Sequence, residues 1–222
     1  MKKSIMYTLG LAALFCAACV DNSTNGSGGG EVDALLEKYN NPNGGSGGGG
    51  NQKVYEKVQI GTQIWMSKNL NDDVEGSRCY DRDPANCVKY GRLYDWYTAR
   101  TICPVGWHLP SDAEWTTLEN QVGGQATAGK KLKSKSGWET WWDSNGNEVS
   151  GNGTDDYGFA ALPGGYGSSD GNFDAAGYDG YWWSSSDNDS YVWYRYMDFH
   201  SEYLEIRDGN KASLRSVRCV QD

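Results

Sequence analysis

The chain has 222 residues, 29 acidic and 20 basic side chains, and a formal net charge of −9. No basic cluster interrupts the acidic excess, which sets nucleic acid aside as a partner. Two histidines are too few for a histidine-built zinc centre.

Residues 1–18 read as an export leader. Lys2 and Lys3 form its positive start, Ile5 to Phe15 its short apolar run, and Cys16-Ala-Ala-Cys19 a processing site of small residues before a cysteine. The apolar run is shorter than a membrane span. A cysteine here, ahead of a polar glycine-rich tail, resembles a bacterial lipoprotein signal, with Cys19 lipidated as the mature N-terminus. Cys16 departs from that pattern, which usually carries Leu. An ordinary secretory signal cut nearby is the alternative. Both place the protein outside the cytoplasm; lipidation would hold it at the outer membrane or cell surface through the anchor alone. The leader carries two lysines and no acid, so the chain without it has a charge of −11.

Residues 19–52 read as a tether. Gly26 to Gly30 and Gly44 to Gly50 are low-complexity Gly/Ser runs. Between them, in residues 31–39, Val32, Leu35, Leu36 and Tyr39 recur at helical spacing, in a stretch too short to be a stable helix alone. A flexible linker of this length has an end-to-end distance of about 30 Å.

Residues 53–222 are expected to form one domain. Val54 to Ile60 and Gln63 to Met66 read as a hairpin around Gly61-Thr62. Gly91 to Arg100 reads as a helix with Leu93, Trp96 and Tyr97 on one face. The next helix start is written almost in full. Ser111 is placed as N-cap, Glu114 completes a capping box, and Pro110 and Trp115 hold the staple positions. The spacing predicts a helix over 111–122 with Trp115, Leu118 and Val122 inward, stopped by Gly123-Gly124. Ala128 to Lys135 reads as a short third helix. Beyond Gly137 the pattern turns to strands, with turn dipeptides at Asn145-Gly146, Asp170-Gly171 and Asp208-Gly209. Phe159 to Leu162, Tyr181 to Ser186, Tyr191 to Phe199, Tyr203 to Arg207 and Leu214 to Val220 are the strand candidates. Helices early and short antiparallel strands late make an α+β pattern.

Beyond Cys16 and Cys19 the chain has Cys79, Cys87, Cys103 and Cys219. An even number in an exported protein reads as two disulfides, with three possible pairings. The favoured one joins Cys79 to Cys87 in a short loop and Cys103 to Cys219 in a long one. The long closure is worth ~4–5 kcal/mol on the chain-entropy account. A zinc site is the weaker alternative, since no C-x-x-C spacing exists.

Tyr90-Gly-Arg-Leu-Tyr-Asp-Trp96, Cys103-Pro-Val-Gly-Trp-His-Leu-Pro110, Ala128-Gly-Lys-Lys-Leu-Lys133, Tyr157-Gly-Phe-Ala-Ala-Leu-Pro-Gly-Gly-Tyr166, Gly180-Tyr-Trp-Trp-Ser-Ser185 and Ser216-Val-Arg-Cys-Val220 together resemble the Fibrobacter succinogenes major paralogous domain. The resemblance covers residues 53–222 in order. It implies a C-type-lectin-like fold, in the version shared with formylglycine-generating-enzyme-type domains, with two main helices packed on short antiparallel strands. It also supports Cys103–Cys219, because lectin-like domains bridge the helical half to the last strand. It carries no defined activity, only exported, often lipid-anchored members with a supposed binding role.

No catalytic constellation stands out. His108 lies in the Gly-Trp-His-Leu-Pro turn and reads as a structural hydrogen bond at the helix entry. His200 reads as an exposed strand end. Neither has a nucleophile in an identifiable motif. Formylglycine-generating chemistry uses a cysteine pair near the C-terminus, where this chain has Cys219 alone. No spacing singles out a carboxylate pair for glycoside cleavage. Asp143 to Glu148 and Asp170 to Asp174 are oxygen-rich but do not fit an EF-hand; hairpin turns are the favoured reading, with structural calcium as the alternative. No other cofactor is expected.

Ten Trp and fifteen Tyr against four Phe favour rings that bury a face and keep a polar edge. That suits a binding surface, and equally a fold in which indoles and phenols satisfy loop carbonyls. Alternation puts Tyr191, Trp193 and Arg195 on one face of a strand and Val192, Tyr194 and Tyr196 on the other; one set is core and the other a candidate platform. The candidate ligand-binding residues are Trp183, Tyr191, Trp193, Tyr194, Tyr196 and Tyr203, set among the Ser, Asn, Asp and Gly of adaptable recognition surfaces. The expected function is a non-catalytic, surface-displayed binding module for a glycan or a surface protein. The alternatives are an extracytoplasmic enzyme, either a glycan hydrolase or a degenerate oxidase, and a structural envelope protein.

Overall fold

A computed structural model describes residues 53–187 and 189–222. The leader, Cys19 and the tether lie outside the described residues. Lys53–Asp222 forms one compact unit. Strands β1 (Lys57–Ile60) and β2 (Gln63–Met66) make the expected hairpin, paired from Lys57↔Met66 to Ile60↔Gln63. The last strand of the chain, β14 (Val220–Gln221), lies between β2 and β5 (Trp107–His108), with Val220 opposite both Trp65 and His108. The C-terminus is thus tied back to the first hairpin.

The larger sheet runs in the order β12, β11, β10, β13, β4, β3. Its members are β3 (Ser77–Arg78), β4 (Leu93–Tyr94), β10 (Asp179–Asp187), β11 (Val192–Asp198), β12 (Glu205–Gly209) and β13 (Arg215–Ser216). The hairpin of β8 (Gly164–Gly167) and β9 (Phe173–Ala176) joins through β8 and β10. A separate hairpin, β6 (Thr140–Trp142) with β7 (Glu148–Ser150), closes over Asn145-Gly146.

The four described helices are α1 (Pro84–Tyr90), α2 (Trp96–Ile102), α3 (Asp112–Gln121) and α4 (Gln125–Leu132). The capping box of α3 is present in both directions, and Trp115, Leu118 and Val122 are fully buried as expected. The third helix starts three residues before its expected start and stops at Leu132. Helix α1 was not expected, although Asp83-Pro84 supplies a cap and a proline in the first turn. It ends at Gly91, whose φ of +79° places any Cβ 2.9 Å from the Leu70 carbonyl oxygen, so this stop needs glycine. The helix expected from Gly91 begins only at Trp96. Leu93 and Tyr94 are claimed by strand pairing to β13 and β3, and the Asp95 side chain caps α2 from the Thr98 amide at 2.8 Å. Tyr97 consequently faces outward, 65% exposed. The strand expected over 159–162 reduces to one bridge, Lys133↔Ala161, and the one over 214–220 splits into β13 and β14 in different sheets.

Strands β10 and β11 divide two cores. Trp182 and Met197 enter the first with Trp65, Trp115, Leu118 and Phe159; Trp183, Val192, Tyr194 and Tyr196 enter the second with Trp96, Leu109 and Val217. Both favoured disulfides are present: Cys79–Cys87 within the chain segment leading into α1, and Cys103–Cys219 from the end of α2 to the start of the last strand.

The Ala128–Lys133 motif holds loops by their carbonyls. Lys130 Nζ donates to Asn152 O (3.0 Å) and Lys131 Nζ to Val122 O (2.8 Å). Lys133, almost fully buried, donates to Asp198 O and Ser201 O, each at 2.9 Å, and lies over the Trp138 ring. Burial pulls its ammonium down to about 8, against the attraction of Asp198. Gly129 lets the chain at Tyr203 approach: a Cβ there would sit 2.2 Å from the Tyr203 carbonyl oxygen.

Candidate functional site

The aromatic platform expected on β11 divides. Trp183 is fully buried, and Tyr194 and Tyr196 are only 8% and 7% exposed. These three belong to the second core and not to an open platform. The physical reason is that both faces of β11 are covered, so alternation does not separate core from surface. On the other face Arg195 is fully buried, its guanidinium on Asp112 of α3. Trp193 is half-buried, whereas Tyr191 and Tyr203 are 52% and 49% exposed. Tyr191 precedes β11 and Tyr203 follows its far end, and a seven-residue strand spans about 20 Å. They do not share one surface.

The core set forms a ladder of rings and guanidinium groups. Arg207 lies 3.8 Å from the Tyr196 ring centre, Tyr196 is 5.1 Å from Tyr181, and Tyr181 is 5.8 Å from Tyr194. Arg215 sits between Tyr194 (4.0 Å) and Trp183 (4.1 Å). Burial lowers the Arg215 pKa, and its Nε and Nη1 have no hydrogen-bond partner. Burial likewise raises Asp179, overriding the bonds it accepts from Tyr181 and Tyr196. The indoles are similarly committed: Trp96 donates to Ser184 O, Trp115 to Trp183 O, Trp138 to Ala161 O and Trp183 to Tyr94 O, at 2.7–3.3 Å. For these four, the tryptophan excess satisfies backbone carbonyls.

His108 takes the structural part expected of it. Its Nε2 meets Glu114 at 2.7 Å and its Nδ1 meets Asp222 at 2.6 Å, linking the α3 capping box to the C-terminal residue. Burial depresses the imidazole, but the two carboxylates outweigh it and raise the pKa. His200 is exposed beside Asp198. The oxygen-rich loops are turns. Asp143 accepts from the amides of Asn145 and Asn147, and Asp170 from the amide of Asn172. Among the described residues no group of three metal-ligating side chains converges.

A concavity lies elsewhere on the domain. An open cleft of about 370 Å³ is walled by Arg78, Arg82, Asp95, Tyr97, Ser168 and Phe173, among others. Three structures shape it. The loop closed by Cys79–Cys87 carries Asp81 and Arg82 at φ of +53° and +59°, two consecutive side-chain-bearing residues in the left-handed region, a conformation that rigid surroundings must hold. Arg82 Nη2 then reaches across to Gly171 O at 3.0 Å, and its guanidinium lies 5.6 Å from the Phe173 ring. The β8–β9 turn brings Ser168, Ser169 and Gly171; the first turn of α2 brings Tyr97. None of the expected ligand residues lines this cleft. Its one sequence signal was the short Cys79–Cys87 loop around Arg82, read for its staple alone.

No curated protein and no solved structure matches the chain. Residues 58–221 match the Fibrobacter succinogenes major domain, spanning both sheets, all four helices and both disulfides. The chain therefore belongs to the Fibrobacter succinogenes major domain family.

Proposed function

We propose that this chain is a surface lipoprotein, anchored through Cys19, whose domain of residues 53–222 is a non-catalytic, C-type-lectin-like module that binds a glycan. One observation carries the reading: the open cleft walled by an exposed tyrosine, a phenylalanine, two arginines and serine hydroxyls. Aromatic faces pack on the C–H faces of sugar rings, and the polar groups meet hydroxyls. A volume of about 370 Å³ lies within the range of small-ligand sites, roughly 300–1,000 Å³. A protein partner would need a far larger surface, about 800 Å² from each side. The non-catalytic reading is supported by the cleft's carboxylate, Asp95, being engaged as the cap of α2. All four cysteines of the domain are joined in disulfides, which weighs against thiol oxidation chemistry.

The test is retention of the purified full-length chain on a panel of insoluble polysaccharides and soluble glycans, with and without a calcium chelator. Retention that Tyr97→Ala abolishes supports the reading. Tyr97 is largely exposed, so its removal should leave the fold intact. No retention on any glycan, or retention indifferent to Tyr97→Ala, overturns it.

A further inference from the structure

Resting on that binding reading, the geometry points to an acidic saccharide as the ligand of the cleft: a sugar ring bearing a carboxylate or sulfate. The argument starts from charge. The chain carries nine more acids than bases, so a guanidinium on its surface has carboxylates to choose from. Arg92 takes Asp73 and Arg207 takes Glu205, while Arg100 has no ion pair among the described residues and lies over the Trp96 ring. Arg78 and Arg82 take none among the described residues. Each commits one N–H to a backbone carbonyl, Arg78 to Ser77 O at 2.7 Å and Arg82 to Gly171 O at 3.0 Å. A guanidinium has five donors, so most of each fork is left for a ligand while the carbonyl holds it in place.

Both arginines line the same cleft, where Asp95 is the one acid among the lining residues; Asp170, at its edge, accepts from the Ser168 hydroxyl and the Asn172 amide. A fork pre-set by a backbone bond suits a planar or tetrahedral oxyanion. Arg82 is held further by the disulfide-closed loop and by Phe173, so little side-chain freedom remains to be lost on binding. Oxyanion recognition alone would fit a free anion. The rings decide for a sugar: Tyr97 and Phe173 share the cleft, and Phe173 is braced edge-on by Tyr80 at 5.5 Å. Ser169 adds a hydroxyl on the same wall.

The experiment titrates the full chain with three oligosaccharides: oligogalacturonate, the same oligomer with its carboxyls reduced to alcohols, and a sulfated galactan oligomer. We expect at least one acidic oligomer to bind, the neutral one to bind about tenfold or more weaker, and added salt to weaken the acidic complex. Arg78→Gln with Arg82→Gln should remove that preference. Lys57→Gln with Lys68→Gln removes the same charge away from the cleft and should keep it. The near-ultraviolet circular dichroism of both double variants checks the fold. The acidic arms separate carboxylate from sulfate. Equal binding of neutral and acidic oligomers, or an arginine double variant with unchanged affinity, overturns the assignment. If the neutral oligomer binds as tightly as the acidic ones and Tyr97→Ala abolishes that binding, the acidic assignment fails while the glycan-binding reading stands. Binding of none of the three overturns the acidic assignment, and the wider panel then decides the other.

Discussion

Asn69 is the junction on which three motifs meet, through Tyr90, Trp182 and the Ser216–Arg218 run, and its loss should be costly. Its Oδ1 accepts from Trp182 Nε1 (2.9 Å) and from Arg218 Nε and Nη2 (3.1 and 2.8 Å). Its Nδ2 donates to Tyr90 O (2.9 Å) and Ser216 Oγ (3.2 Å). Arg218 is fully buried, and burial pulls its guanidinium down to about 9 against the attraction of Asp155. In Asn69→Ala, two guanidinium donors and one indole donor lose their acceptor. At about 1–3 kcal/mol for each buried orphan, more when charged, and allowing for partial relaxation, the loss is about 3–6 kcal/mol. That is a large part of a typical stability of about 5–15 kcal/mol. Asn69→Asp keeps the acceptor and adds a counter-charge, losing only two neutral donors, so it should cost about 1–2 kcal/mol. Urea unfolding with disulfides intact, followed by tryptophan fluorescence, reads both. Asn69→Ala within about 1 kcal/mol of the parent, or Asn69→Asp worse than Asn69→Ala, would refute the argument.

The His108 bridge makes stability depend on pH at both ends. The folded imidazole is raised above its ordinary 6.5, so its contribution is full below about 6.5 and is lost as pH rises through the raised value. Glu114 is half-buried, yet its bonds from Ser111 and His108 outweigh the desolvation and lower it below 4.5; its contribution is present above about 4.5 and is lost as pH falls through the lowered value. His108→Gln should therefore narrow its stability deficit as pH rises from 6 to 9, read as urea midpoints; a constant deficit would sink the idea. Lys133 acts in the opposite sense. Its folded value of about 8 lies below the ordinary 10.5, so the unfolded chain binds the proton more tightly and stability rises with pH above about 8. Lys133→Met should flatten that rise between about pH 8 and 9.5, below the range where unfolded tyrosines ionise. A slope equal to the parent's would remove Lys133 as its source.

What could be read from the chain was local. The α3 start is specified by Ser111, Glu114 and their spacing; of three possible disulfide pairings the favoured one, supported at Cys103–Cys219 by the family resemblance, is present. Misreadings came where a distant partner decided. Leu93 and Tyr94 have a helical look, but β13 and β3 hold them in a strand, and the Asp95 cap was the overlooked sign. The two faces of β11 were assigned as core and platform because alternation has a period of two and says nothing of a second layer; α3 supplies that layer through Asp112 and Arg195. The cleft was illegible for the same reason. Arg78, Tyr97, Ser168 with Phe173, and Leu214 come from four separate segments, and no periodicity links them.

The division of labour between motif and intervening segment follows. The six motifs that carry the family resemblance build the scaffold. Tyr94 and Trp96 fill a core, His108 bridges the capping box to the C-terminus, Lys133 clamps a loop, and Trp182 and Arg218 converge on Asn69. Of the residues lining the cleft, Asp95 alone falls inside a motif, and its oxygen serves the scaffold by capping α2. Arg78, Arg82, Tyr97, Ser168, Phe173 and Leu214 all fall between motifs. On the proposed binding reading, substitutions at the cleft would change the ligand without disturbing the core, because the cleft sits on loops positioned by rigid elements.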